Sequence, residues 1–186
     1  MENSQLQDLY KGVIEQLGED PNREGLLKTP ERVAKAYQFL THGYGIDARQ
    51  VLESAIFDEH HSEMIIVKDI ELFSLCEHHM LPFFGKAHVA YISSGKVIGL
   101  SKLNRLVEYF SKRPQVQERL TMQIGKALQT VLQTQDVAVF MDAKHLCVAS
   151  RGVKDDSSNT ITGFYGGKFQ EENTKAEFLK YLDINA

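Results

Sequence analysis

The sequence is poor in the features that tie a chain together covalently or anchor it in a membrane. Among 186 residues there are two cysteines, four prolines and no tryptophan. A chain of this length buries roughly 70% of the surface that its unfolded form exposes, so it can fold around one core without disulfides. No apolar run approaches the ~18 residues of a membrane span, and the start lacks the regions of a secretory signal. We therefore expect a cytoplasmic globular protein with no membrane partner.

An excess of positive charge is also missing. Lys and Arg number 21 against 25 Asp and Glu, which gives a formal net charge of -4. Proteins that hold nucleic acids neutralise phosphates with clustered Lys and Arg. The composition therefore predicts no nucleic-acid partner, although a local cluster of cations could still bind a small anion.

The hydrophobic pattern changes along the chain from helical to strand-like spacing. Apolar residues recur at helical spacing in the first third, whereas the chain is rich in Ile and Val from Met64 onward. Strands are predicted at 64–70, at 85–92 with a hairpin continuation at 97–100, at 136–150 and at 160–169, and later helices at 101–111, 115–132 and 174–182. This order favours an antiparallel α+β fold. We predict one domain over 1–186, with a helical amino-terminal region at 1–60 and a catalytic region at 61–186.

Both cysteines stand within two residues of a histidine, in the segments 76–79 (Cys-Glu-His-His) and 145–147 (His-Leu-Cys). Thiolate and imidazole are ligands that Zn²⁺ favours, and Cys76 and His79, three residues apart, can converge on one ion from a turn. Two residues apart on a predicted strand, the histidine and cysteine of the second segment would point to the same face. The pattern predicts a zinc site held by Cys76, His79 and Cys147.

Two histidines remain beside this predicted site, namely His78 and His145, and we assign proton transfer to them. Three protein ligands with a position left for water are typical of catalytic zinc. Two alternatives stay open: a closed structural zinc with His78 or His145 as fourth ligand, and two buried thiols near histidines by chance. The Pro-Cys-x-x-Cys segment of nucleobase deaminases is absent from the sequence.

Other histidines fit ordinary structural roles. The pair His60-His61 stands in a polar stretch without a cysteine, which predicts a solvated loop. His88 lies within a predicted strand, where a histidine with satisfied hydrogen bonds is the expected role.

A third group of residues suits a nucleotide. Ser101, Lys102 and Arg105 stand at the start of a predicted helix, whose free N–H groups and dipole favour an anion. Arg151, just past the second cysteine, could add another cation. Glu118 could accept two hydrogen bonds from a guanine edge. Taken alone, a Ser and two cations at a helix start are more often a capped, solvated helix end, and a carboxylate on a helix is usually solvated.

Four segments in register resemble the GTP cyclohydrolase I family, and they comprise residues 76–83, 97–102, 115–121 and 145–147 with Arg151-Gly152. The resemblance spans about Thr29 to Phe169 in the family's order and spacing. It implies zinc ligands at Cys76, His79 and Cys147, catalytic roles for His78 and His145, triphosphate contacts from Ser101, Lys102, Arg105 and Arg151, and substrate contacts from Gln117 and Glu118, with Glu118 on the guanine.

The implied reaction opens the imidazole ring of GTP, releases C8 as formate and yields 7,8-dihydroneopterin triphosphate, the first step of pterin and tetrahydrofolate biosynthesis. Zinc lowers the pKa of bound water to near 7 and so supplies hydroxide for C8. We assign protonation of N7 to His145, and ring opening or the later ribose rearrangement to His78.

The resemblance also implies an assembly. Its fold is the tunnelling fold, in which antiparallel sheets of several subunits join into a barrel, and family members of this kind form homodecamers of two pentameric rings with sites at subunit boundaries. Two rival functions remain at this stage. One is a nitrile reductase of queuosine biosynthesis, which shares the fold and uses a cysteine nucleophile, and the other is a non-catalytic purine-binding protein with structural zinc.

Overall fold

The computed structural model describes residues 3–59 and 61–183. The chain divides into two compact units, Met1–His42 and Gly43–Ala186. The helices are α1 (Asn3–Gln16), α2 (Thr29–Leu40), α3 (Ala48–Glu53), α4 (Leu100–Ser111), α5 (Gln117–Leu132), α6 (Leu146–Ala149) and α7 (Glu172–Leu182). The strands are β1 (Ile56–Asp58), β2 (Met64–Cys76), β3 (Pro82–Ile92), β4 (Lys96–Ile98), β5 (Pro114–Gln115), β6 (Val137–His145) and β7 (Thr160–Tyr165). No helix in the described ranges is long and apolar enough to cross a membrane.

The first unit consists of α1 and α2. Pro30 stands in the first turn of α2, where its fixed φ suits the helix and its missing N–H is not needed. The rings of Tyr10 and Tyr37 stack with their centroids 5.5 Å apart and so join the two helices. Ala34 is fully buried, whereas Leu9 and Phe39 remain exposed.

The second unit is built on a five-stranded sheet in the order β5-β2-β3-β6-β7. Strands β2, β3, β6 and β7 are antiparallel neighbours, and β5 adds two parallel pairs at the end of β2. Helices α4 and α5 pack on one face, and together they confirm the predicted α+β class. β4 does not continue the hairpin of β3 as predicted. It pairs with β1, because β2 and β6 already occupy both edges of β3.

The predicted strand from 136 to 150 is too long, and this is a second correction. β6 ends at His145, which pairs with Phe83 at the beginning of β3. Because β3 begins at Pro82, no strand residue precedes it for β6 to pair with, and the chain continues as the single helical turn of α6. Cys147 therefore lies on a helical turn and not on the strand face that we expected it to share with His145.

His88 confirms the structural role predicted for it. The backbone N–H of Asp69 donates to His88 Nδ1 at 3.2 Å. Asp69 has a φ of 61° at the point where the register of β2 and β3 shifts. Its N–H is therefore not part of the pairing between these strands, and the histidine accepts its hydrogen bond. Burial lowers the pKa of His88, which favours the neutral ring that can accept this bond. His60 lies outside the described residues, and His61 is exposed.

The sheet and α5 approach each other closely at Gly125, and this contact yields a stability prediction. A Cβ at Gly125 would lie 2.3 Å from Cδ1 of Phe164 on β7. Alanine gains about 1 kcal/mol of helix propensity over glycine, but overpacking costs roughly 1–3 kcal/mol. We expect Gly125→Ala to lower the thermal unfolding midpoint.

Gly12 supplies the matched control. It is also helical, but a Cβ there would meet nothing within 4 Å. Gly12→Ala should therefore leave the midpoint unchanged or raise it at the same protein concentration. An equal rise for Gly125→Ala would show that Phe164 yields without strain.

Candidate active site

The register of β3 brings the two cysteine segments together. Phe83 pairs with Ser74 of β2 on one side and with His145 of β6 on the other. β2 and β6 both run antiparallel to β3, so their carboxyl ends lie at the same end of the sheet. Cys76 and Cys147 each lie two residues beyond these pairs. The fold therefore places the cysteines side by side, although 71 positions separate them in the sequence.

Cys76, His79 and Cys147 form a group that could hold a metal ion. One potential ligand atom from each residue lies within 4.8 Å of the others, and Cys76 Sγ is 3.8 Å from His79 Nδ1. The turn that carries His79 is closed by the N–H of Met80, which donates to the Cys76 carbonyl at 2.8 Å. Two sulfurs and one imidazole nitrogen match the donors of zinc sites, so the residues fit a zinc ion.

The thiols of this group lie in a partly apolar environment. Cys76 is 6% exposed and belongs to the main hydrophobic core. Burial raises the pKa of the Cys147 thiol, and a hydrogen bond with Cys76 acts in the same direction, while the charge of Arg151 opposes both. Without a metal Cys147 therefore favours the protonated form. A bound divalent cation reverses this preference, because a coordinating thiol is deprotonated.

His78 lies on the exposed side of the same turn. Its Nε2 is 4.0 Å from a carboxylate oxygen of Glu77, and its ring stands edge-on to His79 with centroids 6.3 Å apart. Glu77 is in turn held by both terminal nitrogens of Arg119, and this hydrogen bonding lowers the pKa of Glu77. Arg119 also donates from Nε to Gln115 Oε1 at 3.2 Å.

Sequence reasoning missed this role of Arg119. The residue stands within the segment 115–121 that carries some of the resemblance, but an arginine on a helix gives no sign of its partner. The parallel pairing of Gln115 with Cys76 brings the start of α5 beside the turn that carries Cys76 and His79.

His145 sits between the sheet and α5. Its ring stacks on Phe83, with centroids 4.6 Å apart and an interplanar angle of 3°. Its Nε2 lies 2.8 Å from Gln117 Oε1. Burial lowers the pKa of His145, and the nearby carboxylate of Glu118 acts against this effect. A partly buried imidazole next to the cysteine pair is thus held in a defined orientation.

Cys76, His79 and Cys147 are called the metal group below. The two remaining predicted residues near this group are exposed. Glu118 lies in the first turn of α5 and faces solvent, next to the fully buried Gln117. Arg151 follows α6 and is also exposed, and its electrostatic effect on Cys147 shows that the two are close. Both side chains are free to meet a ligand that approaches the cysteine pair.

Ser101, Lys102 and Arg105 do share one element, as predicted. All three lie in the first half of α4, which begins at Leu100 after Gly99. Ser101 and Arg105 are exposed and Lys102 is half-buried. Lys102 and Arg105, three residues apart, lie on the same side of the helix.

Ser101, Lys102 and Arg105 form the α4 group. The structure does not bring this group to the metal group. The carboxyl end of α4 leads into β5, where Gln115 pairs with Cys76. Just before its amino end, the N–H of Ile98 donates to the Tyr91 hydroxyl at 3.1 Å, and Tyr91 pairs with Ile65 near the start of β2. The helix has 12 residues, which at 1.5 Å per residue span about 18 Å. The two groups thus lie at opposite ends of the sheet within this chain.

Comparison with known proteins identifies the family. The sequence profile of GTP cyclohydrolase I matches residues 6–183. The chain belongs to the GTP cyclohydrolase I family. A protein named GTP cyclohydrolase 1 from Chlorobium phaeovibrioides is 56% identical over 91% of this chain and 77% of its own. Proteins of the same name from Porphyromonas gingivalis and Leptospira biflexa are 54% and 51% identical, over 96% and 95% of this chain and 93% and 97% of their own.

The family predicted from four sequence segments is therefore confirmed, and so is the prediction that the chain is an enzyme of the GTP cyclohydrolase I type. Among solved structures, the archaeosine synthase QueF-Like in its apo form aligns with 59% of this chain and 98% of its own, at a TM-score of 0.43 and 16% identity. That likeness is too weak to carry an argument.

The proximity of the two thiols predicts their behaviour when metal is removed. Sulfur ligands of one tetrahedral ion lie close enough to form a disulfide after modest movement. We expect chelation followed by air oxidation to join Cys76 to Cys147, with loss of both free thiols in a thiol titration and a cross-linked peptide in non-reducing mass spectrometry. Zinc added beforehand should protect both thiols. Two intact thiols after the metal-free oxidation would argue against a shared ion.

Proposed function

We propose that this protein hydrolyses GTP with the help of zinc, releases formate and rebuilds the product into 7,8-dihydroneopterin triphosphate, the first step of pterin and tetrahydrofolate biosynthesis. The observation that carries the proposal is the convergence of Cys76, His79 and Cys147 beside His145, in a chain that belongs to the GTP cyclohydrolase I family. The cytoplasm is the proposed location.

Zinc held by Cys76, His79 and Cys147 would polarise and acidify a water molecule near C8 of the purine. We assign protonation of N7 to His145, and the lowered pKa of its partly buried ring supports this, because such a ring holds its proton weakly. His78, exposed on the same turn, would exchange protons during ring opening or the ribose rearrangement.

The proposed substrate contacts follow from charge and position. The exposed carboxylate of Glu118 can accept two hydrogen bonds from the N1–H and the amino group of guanine. Ser101, Lys102 and Arg105 would hold the triphosphate at the start of α4, and Arg151 would add a cation near the metal group. The sequence also predicts a substrate contact from Gln117, a residue that the structure buries.

A shared active site follows from the distance between these groups. Within one chain the α4 group lies on the first half of a helix about 18 Å long whose other end leads to the metal end of β2, so we propose that a site combines α4 of one copy with the metal group of another. The sheet offers edges for such an assembly. Among the described residues, β5 covers β2 only at Leu75 and Cys76, and the outer side of β7 has no neighbouring strand. Unpaired edges of this kind favour pairing with another copy.

We further propose the tunnelling fold, with residues 1–186 as one domain that is helical over residues 1–60 and catalytic over residues 61–186. Ten copies would form two pentameric rings around a barrel. A cysteine-nucleophile reductase is disfavoured because the chain has two cysteines and both belong to the group that fits zinc.

Turnover of GTP tests the proposal directly. We expect zinc-loaded protein to release formate and, after oxidation of the product, a fluorescent pterin in equal amounts. A chelator should abolish both signals, and added zinc should restore them. Zinc-loaded, folded protein that produces neither formate nor pterin would exclude this function and would favour a non-catalytic purine-binding protein.

Mixed oligomers test the shared site. Lys102→Ala removes a proposed phosphate contact and Cys147→Ser removes a metal ligand, so each variant alone should lose most activity. If the two groups come from different subunits, random mixing leaves about a quarter of the sites with both groups intact. Co-expressed variants should therefore recover activity toward about a quarter of wild type.

The matched control is a mixture of Lys102→Ala with Arg105→Ala. Both substitutions damage the α4 group, so every site in this mixture carries one of them and activity should stay low. If the Lys102→Ala and Cys147→Ser mixture stays equally low although mass spectrometry shows mixed oligomers, the site belongs to a single subunit.

A further inference from the structure

Gln117 connects His145 to a set of buried polar groups. Its side chain is 1% exposed. On one side, Gln117 Oε1 lies 2.8 Å from His145 Nε2. On the other side, Gln117 Nε2 lies 2.9 Å from the Thr160 carbonyl and 3.4 Å from the Met141 carbonyl. The amide therefore lies between a histidine and two backbone carbonyls. The histidine can carry its hydrogen on either ring nitrogen, whereas the carbonyls can only accept hydrogen bonds.

The two carbonyls determine which way the amide faces. A carbonyl oxygen can only accept a hydrogen bond, so the amide atom that faces Thr160 and Met141 must be the NH₂ group. The opposite orientation would bury three oxygens against one another without a hydrogen, which is strongly unfavourable. Gln117 therefore presents its oxygen to His145, and that oxygen can only accept.

The hydroxyls around Gln117 agree with this direction. Gln117 Nε2 donates to Thr162 Oγ1 at 3.1 Å, the hydroxyls of Thr162 and Thr121 lie 2.7 Å apart, and Thr121 Oγ1 donates to the Gln117 carbonyl at 2.8 Å. Each hydroxyl has one hydrogen. The pattern closes when Thr162 donates to Thr121, because each hydroxyl then donates once and accepts from its neighbour.

We propose that Gln117 is a positioning residue that holds neutral His145 in the tautomer with its proton on Nε2. Nδ1 is then the ring nitrogen without a hydrogen. The stacking of His145 on Phe83 fixes the plane of the imidazole ring. Gln117 fixes which ring nitrogen carries the hydrogen in the neutral ring. The proton transfer assigned to His145 rests on the proposed function, but the tautomer itself does not.

This role differs from a substrate contact, which the resemblance implies for Gln117. Both hydrogens of its amide already point at Thr160, Thr162 and Met141, so no donor is left for a guanine. The neighbouring Glu118 is exposed and has free acceptors. Removal of the Gln117 amide should therefore slow the chemical step and leave the affinity for GTP largely unchanged.

Solid-state ¹⁵N spectra of full-length, zinc-loaded protein labelled on histidine test the tautomer. The signals of His145 are identified by their loss in His145→Gln. At a pH where His145 is neutral, we expect a protonated Nε2 and a bare Nδ1 in wild type, and a mixture of tautomers in Gln117→Leu. A wild-type spectrum with the proton on Nδ1, or the same single tautomer in Gln117→Leu, would overturn the proposal. The wild-type spectrum decides even where the variant fails to fold.

Kinetics separate positioning from substrate binding. In Gln117→Leu we expect kcat for GTP to fall by about tenfold or more, with KM within about twofold. A raised KM at unchanged kcat would show a direct substrate contact and would contradict the proposed role. Gln129→Leu is the matched control, since Gln129 lies on α5 and its amide donates to the Gln135 carbonyl away from the site. It should leave both constants unchanged.

The two measurements also separate this proposal from the proposed function. If wild-type protein does not turn over GTP at all, the reaction assignment fails, yet the spectrum still decides whether Gln117 sets the tautomer. If the enzyme is active and the tautomer is the opposite one, the function stands and the role of Gln117 is wrong.

Discussion

The pairing of β3 with β2 on one side and β6 on the other is the constraint on which the site depends. Phe83 lies fully buried and pairs with Ser74 of β2 on one side and with His145 of β6 on the other. A one-residue slip in either pairing would turn every side chain of that strand to the other face and separate Cys76 from Cys147. The packing that buries β3 therefore also determines whether a metal can bind.

Burial of the thiols has an energetic consequence for that metal. Cys76 belongs to the core and Cys147 packs against it, so both are held in place by apolar contacts rather than by the ion. Burial raises the pKa of Cys147, which means that a proton competes with the metal for the sulfur. A bound cation must offset the loss of that proton, and affinity therefore increases with pH. The fold supplies a formed group of ligands, and a bound metal would supply the charge that makes thiolates stable there.

The portion of the site that local spacing determines could be predicted from the sequence, and the rest could not. Cys76 and His79 lie three residues apart in one turn, so their proximity follows from backbone geometry. The end of β6 at His145 follows instead from where β3 begins, and β4 pairs with β1 because both edges of β3 are occupied. Both features depend on pairing between strands that are distant in sequence. The periodicity of a sequence predicts that a segment is a strand, but it does not predict which strand lies next to it.

The hydrogen bond between Gln117 and His145 illustrates the same limit at the level of one atom. Sequence motifs place Gln117 beside Glu118, and two adjacent polar residues at the start of a helix suggest the same role for both. The helix separates them, because one faces the sheet and is buried while the other faces solvent. The buried amide takes its orientation from carbonyls on β6 and β7, and the histidine takes its orientation from the amide. Proton transfer would then be governed by backbone groups that reach His145 only through the amide of Gln117.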